Sequence, residues 1–77
     1  MQVGSLVITA SDLSEKVNVF IEPIAALNSF FVFNGTYGII IEIGNPENGT
    51  YYGEVYMLFD NGKHGWVPRV HLKLIAL

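Results

Sequence analysis

YMLFDNGKHGWVPRVHLKLI, residues 56 to 75, sets an alternating apolar run before an Asn-Gly pair, and Trp-Val-Pro and a second apolar alternation after it. Asn and Gly both tolerate positive φ, which tight primed turns demand, so Asn-Gly between alternating runs is the strongest short hairpin signal. In YYGEVYMLFD, residues 51 to 60, Val55, Met57 and Phe59 share the strand face that suits a core, while Glu54, Tyr56 and Leu58 share the other. KHGWV, residues 63 to 67, returns antiparallel to that strand. Pro68 cannot donate to a ladder and ends it. PRV then makes one tight helical turn, and HLKLIA, residues 71 to 76, is a last short strand in which Leu72, Leu74 and Ala76 alternate with His71, Lys73 and Ile75.

The same reading extends backwards. VGSLVITA, residues 3 to 10, and TYGIIIEI, residues 36 to 43, are strands; in the second, Ile39, Ile41 and Ile43 share one face and Ile40 and Glu42 the other. GNPENG, residues 44 to 49, is loop. With Asn-Gly pairs at 34–35, 48–49 and 61–62 as hairpin turns, the chain reads as all-β. Residues 12 to 35 mix periods. Ser11 or Asp12 is placed to cap a short helical turn with Glu15 behind it. Val17, Val19 and Ile21 alternate as in a strand; PIAALNSFF, residues 23 to 31, starts with the proline that favours a first helical position. The segment is expected to be a long excursion, about half of it strand-like.

At 77 residues the chain is one domain, and a domain of this size buries only about 60 to 65% of the surface its unfolded form exposes. It has no cysteine, which excludes disulfides and thiolate metal sites. Hydrophobic residues make up 51% and charged residues 14%, against about 25% charged in an average domain. A thin core cannot hold that excess, so part of it is expected at the surface as an interface. The net charge is −3, and Lys16, Lys63, Arg69 and Lys73 are too sparse to neutralise a run of phosphates, although three of the four fall in the last fifteen residues. The uncharged run from 23 to 41 is broken by Pro23, Asn28, Asn34, Gly35 and Gly38, short of the about 20 continuous apolar residues of a span, so no membrane segment is expected. MQVGSLVITAS lacks the basic start and small-residue cleavage site of a secretory signal, and a cytoplasmic protein is expected.

GSLV at 4–7, YGIIIEI at 37–43 and the stretch 56–75 together resemble the SH3-like small β-barrels, above all the small members encoded by tailed bacteriophages. The likeness covers about 50 of the 77 residues. It implies one small five-stranded SH3-like barrel over residues 1–77, with 12–35 as a long apolar insertion between the first two barrel strands. It also implies a structural or assembly component of a virion, made in the host cytoplasm. Eukaryotic-type SH3 domains offer a proline and a tyrosine from this region to polyproline ligands. Here Pro68 matches, but His71 stands at the tyrosine position, Val70 stands at a polar one, and the first-strand tyrosine motif is missing, so that activity is not expected.

If Val67 is core, its neighbour Trp66 points the other way and is partly exposed beside Tyr56 and Leu58. There it either anchors a partner or only stiffens the hairpin as a cross-strand aromatic pair. A metal wants three or four convergent ligands. His64 and His71 are isolated, the carboxylates are scattered and no serine sits in an elbow motif, so no metal, no cofactor and no catalysis are expected. The expectation is a non-enzymatic protein-interaction module. Phe20, Ile24, Leu27, Phe30, Phe31, Phe33, Tyr56, Leu58 and Trp66 would meet a protein partner or another copy. The rivals are a nucleic-acid-binding small barrel of the KOW or ribosomal kind and a small accessory subunit of a cyanobacterial or chloroplast redox complex.

Overall fold

A computed structural model describes residues 1–21, 29–44 and 53–77. Their elements are β1 (Leu6–Thr9), β2 (Lys16–Phe20), β3 (Ser29–Phe33), β4 (Tyr37–Ile43), β5 (Glu54–Phe59), β6 (His64–Pro68), a 3-10 turn (Arg69–His71) and β7 (Leu72–Ala76). All-β holds. The strands form one antiparallel sheet in the order β3-β2-β6-β5-β4-β1-β7, not closed into a barrel, with β3 and β7 as its edges. It is nevertheless rolled up. A flat sheet layer is about 10 Å thick, whereas this molecule measures 29 × 27 × 23 Å with a radius of gyration of 11.2 Å.

The five strands expected from the sequence are all present and contiguous as β6-β5-β4-β1-β7, and the expected tight turn lies between β6 and β7. The correction concerns residues 12 to 35. Expected as a long excursion about half strand-like, the described residues among them supply β2 and β3, a hairpin in regular register from Lys16↔Phe33 to Phe20↔Ser29. This hairpin joins the sheet through Phe20↔Trp66. Val17, Val19 and Val32, at most 4% exposed, belong to the core cluster with Val7, Ile40, Val55, Met57, Phe59, Val67 and Leu72. Full burial of a valine stabilises by about 1.5 to 3 kcal/mol, so three of them make the hairpin part of the fold.

Ser11 caps no helix. Its Oγ accepts a hydrogen bond from Leu13 N at 3.3 Å and Ser14 Oγ accepts one from Lys16 N at 3.2 Å, local side-chain turns that satisfy the backbone without a helix. Of PIAALNSFF, Ser29 to Phe31 are strand and the rest lies outside the described residues. Asn34-Gly35 makes no hairpin, because β3 and β4 are not neighbours. Its side chain instead accepts from Ser11 N at 2.9 Å and donates to Ser11 O and Ser14 O at 3.0 and 2.8 Å. Asn61-Gly62 does join β5 to β6, but only Gly62 has positive φ, at 84°. With Gly62 N bonded to Phe59 O, the connection is the longer hairpin turn that ends in a left-handed glycine. Asn48-Gly49 lies outside the described residues.

Strict alternation also fails in β4. The register with β5 runs Ile40↔Met57, then Glu42↔Tyr56 and Ile43↔Val55, leaving Ile41 as an extra bulged residue. Ile43 thereby joins Ile40 on the core side, while Ile39 and Ile41 are exposed. The face assignment of β5 holds within the shorter strand Glu54–Phe59: Val55, Met57 and Phe59 are core, at most 2% exposed.

Candidate interaction surfaces

The residues expected to meet a partner fall in three places. Phe31 and Phe33 stand on the outward side of β3, 47% and 59% exposed, with ring centroids 5.5 Å apart in an edge-to-face pair. Alternation along the strand forces this, since Phe30 and Val32 take the inward side. Lys16, opposite Phe33 on β2, lays its Nζ 4.3 Å from the Phe31 centroid and 6.0 Å from that of Phe33. The ammonium spends its charge on two aromatic faces. Phe30 is half-buried against the core, edge-to-face with Phe59 at 6.4 Å and flanked by Lys63 Nζ at 5.2 Å. It is a packing residue.

Leu58 belongs to a second surface, on the outer side of the central strands. It is 44% exposed and lies directly opposite Ile39, also 44% exposed, which in turn pairs with the half-buried Leu6 of β1. Tyr37 and Ile41, 46% and 45% exposed, extend the patch along β4. Alternation puts Ile39 and Ile41 on one face, which is the exposed one, and the bulge after Ile40 turns only Ile43 from that face to the core. Only Leu58 opposite a β-branched run pointed to this patch in the sequence.

Trp66 is corrected. It is 6% exposed, with its ring 5.2 Å from that of Tyr56 at 69°. The expectation of exposure followed from alternation with Val67, but Trp66 and Val67 are both buried, and Phe20 of β2, a strand not expected there, lies directly opposite the tryptophan. Tyr56 is half-buried and its hydroxyl hydrogen-bonds His64 Nδ1, giving the pair a structural role in the β5–β6 hairpin. Phe20 is half-buried. It lines a groove of about 300 Å³ with Leu13, Lys16, Pro68 and His71. Trp66 does not line that groove, so Phe20 and His71 are its only aromatic rings among the described residues. Ile24 and Leu27 lie outside the described residues.

Apart from Lys16 over Phe31 and Phe33, ionisable groups add little to either surface. Glu54, at the start of β5 and half-buried, is held above the usual carboxylate range by desolvation. Among the described residues no three His, Asp or Glu side chains cluster as metal ligands, and no helix is long and apolar enough to cross a membrane. No protein-family model, curated protein or solved structure matches the chain.

Proposed function

We propose that this chain is a non-enzymatic protein-interaction module with the architecture of an SH3-like barrel, acting as a structural or assembly component of the tailed-phage kind. The observation that carries the reading is the pair of apolar surfaces left in water. Ile39 and Leu58 are each 44% exposed in direct register, and Phe31 and Phe33 are 47% and 59% exposed on an edge strand. Apolar residues grouped in this way mark interaction sites more often than scattered ones do. The strand order β6-β5-β4-β1-β7 with one 3-10 turn before the last strand supports the SH3-like part.

The rival nucleic-acid reading has less behind it. Lys16 is occupied by Phe31 and Phe33 and Lys63 by Phe30, so two of the four basic side chains lean on rings within the protein. Light scattering over a range of concentrations at low and high salt separates the two. The interaction module gains mass with concentration and keeps it in high salt. A phosphate binder stays at one mass and loses oligonucleotide affinity steeply as salt rises.

A further inference from the structure

We infer that Asn61 is a self-modification site: its carboxamide converts without an enzyme to aspartate and isoaspartate, through a cyclic imide closed by Gly62 N, whereas the fold holds Asn34 back from the same reaction. The inference goes beyond the interaction-module reading and does not depend on it. Asn-Gly is the dipeptide most open to this chemistry, because glycine sets no side chain in the way of the ring. The chain has three such pairs, of which Asn34-Gly35 and Asn61-Gly62 fall within the described residues. The reaction needs only the chain and water. Gly62 N loses its proton and bonds to Asn61 Cγ; the Cγ–Nδ2 bond breaks, and the leaving nitrogen takes up a proton and departs as ammonia. Water then opens the imide. Opening at Cγ gives aspartate, and opening at the main-chain carbonyl gives isoaspartate, with the chain routed through the former side chain.

Backbone and space do not distinguish the two asparagines. The following glycines have φ of 89° at Gly35 and 84° at Gly62, and a Cβ on either would meet nothing within 4 Å. The carboxamides differ. Asn34 Oδ1 accepts from Ser11 N at 2.9 Å, and its Nδ2 spends both hydrogens on Ser11 O and Ser14 O at 3.0 and 2.8 Å. Gly35 N donates at 2.8 Å to the carbonyl of Thr9, a residue 1% exposed. Ring closure at 34 must undo this whole tether. At Asn61 the Oδ1 accepts from Lys63 N at 2.9 Å, while Nδ2, the leaving nitrogen, has no acceptor among the described residues. The Lys63 bond draws electrons from the carbon under attack. Gly62 N donates to Phe59 O at 3.0 Å, and freeing it takes a local opening of a turn whose residues Asp60, Asn61, Gly62 and Lys63 are all exposed. The product adds a negative charge beside Asp60 to a chain already at −3. Isoaspartate also lengthens the main chain in the turn and takes the acceptor of Lys63 N into it, loosening the hairpin next to the Leu58↔His64 pair.

The test is peptide mapping by mass spectrometry, with fragmentation that separates isoaspartate from aspartate, on the purified chain kept at mildly alkaline pH, both folded and in urea. In the fold residue 61 is expected to convert at least about tenfold faster than residue 34, whose carboxamide must first shed its hydrogen bonds. In urea the two rates draw level. Asn61→Gln, which would have to close a larger ring, is expected to lose the signal at 61 and leave that at 34 unchanged. Conversion at 34 as fast as at 61 in the fold overturns the inference, and so does a residue 61 that stays an amide in the fold while converting in urea. A preference for 61 that persists in urea overturns it as well, because the difference then lies in the flanking residues and not in the hydrogen bonds. None of these outcomes moves the functional reading, which light scattering decides.

Discussion

Gly65 sits where β2 crosses β6, and a methyl group there would lie 2.5 Å from Val19 Cγ1 and 3.0 Å from the Phe20 carbonyl oxygen. The valine can turn away; the backbone oxygen cannot. Gly65→Ala is expected to cost about 1 to 3 kcal/mol, read as a lowered denaturation midpoint, because the hairpin must lift off the sheet to admit the methyl. Thr9 works from the opposite edge. Its hydroxyl, on a residue 1% exposed, donates to Phe33 O at 2.9 Å and accepts from Thr36 N at 3.0 Å, tying the end of β3 to β1. Thr9→Val keeps the shape and strands Thr36 N, while Phe33 O keeps the hydrogen bond donated by the Thr36 hydroxyl at 2.7 Å, for an expected loss of about 1 to 3 kcal/mol in urea unfolding. Glu54 is a liability at neutral pH. Its pKa in the fold is raised by desolvation, so the folded state holds the proton to higher pH than the unfolded chain does. Stability contributed by the protonated form is then lost as pH rises from the ordinary carboxylate range through the raised value. Glu54→Gln should melt higher than the parent at neutral pH and draw level with it in acid; a parent that gains stability across that window because of Glu54 contradicts the assignment.

At the scale of elements, the β2–β3 hairpin carries the fold's departure from what its sequence announces. The Val55, Met57 and Phe59 alternation, the Asn61-Gly62 turn, the Pro68 stop and the turn before Leu72 were legible because each is a local signal with one meaning. The hairpin was not, since Val17 and Val19 alternate for only two steps and Pro23 and Ala25–Ala26 send a helical message. The pairing of Phe20 with Trp66 on β6 is long-range, and no local pattern encodes it. Ile43 escaped for a related reason: a bulge adds a residue to one strand only, and a period-2 count cannot see that it moves Ile43 to the core side. Exposure of Trp66 was misjudged because burial depended on β2 arriving beside β6. Exposure at the candidate surfaces was legible only in part: of the residues expected to meet a partner, Phe31, Phe33 and Leu58 are exposed, whereas Trp66 and Phe30 are packed inside. Asn34 tests the hairpin's tether directly. Its amide bridges Ser11 and Ser14, so Asn34→Ala is expected to speed proteolysis within residues 11 to 15 and to cost about 1 kcal/mol in global unfolding.

For the whole molecule the decisive feature is an open sheet rolled to a radius of gyration of 11.2 Å. A compact domain of this length is expected near about 11.5 Å, so compactness has been reached without closing the edges. A closed barrel has no edge to offer, whereas this sheet has two: β7 is blunted by Lys73 and a bulge, and β3 is held at its end by the Thr9 and Thr36 hydroxyls on Phe33 O. The outer patch of Ile39 and Leu58 adds a second place for apolar contact, on a different side of the sheet from the β3 edge. Leu58→Lys should therefore raise solubility with little change in melting temperature, because the side chain is 44% exposed and its removal opens no cavity. The measurement that tests the account most directly is amide hydrogen exchange by mass spectrometry at low and high protein concentration. Protection at the exposed apolar surfaces, in Ser29–Phe33 or in Tyr37–Ile43 and Glu54–Phe59, is predicted to grow with concentration while that in Leu72–Ala76 stays the same; exchange in all three that is indifferent to concentration would contradict the account.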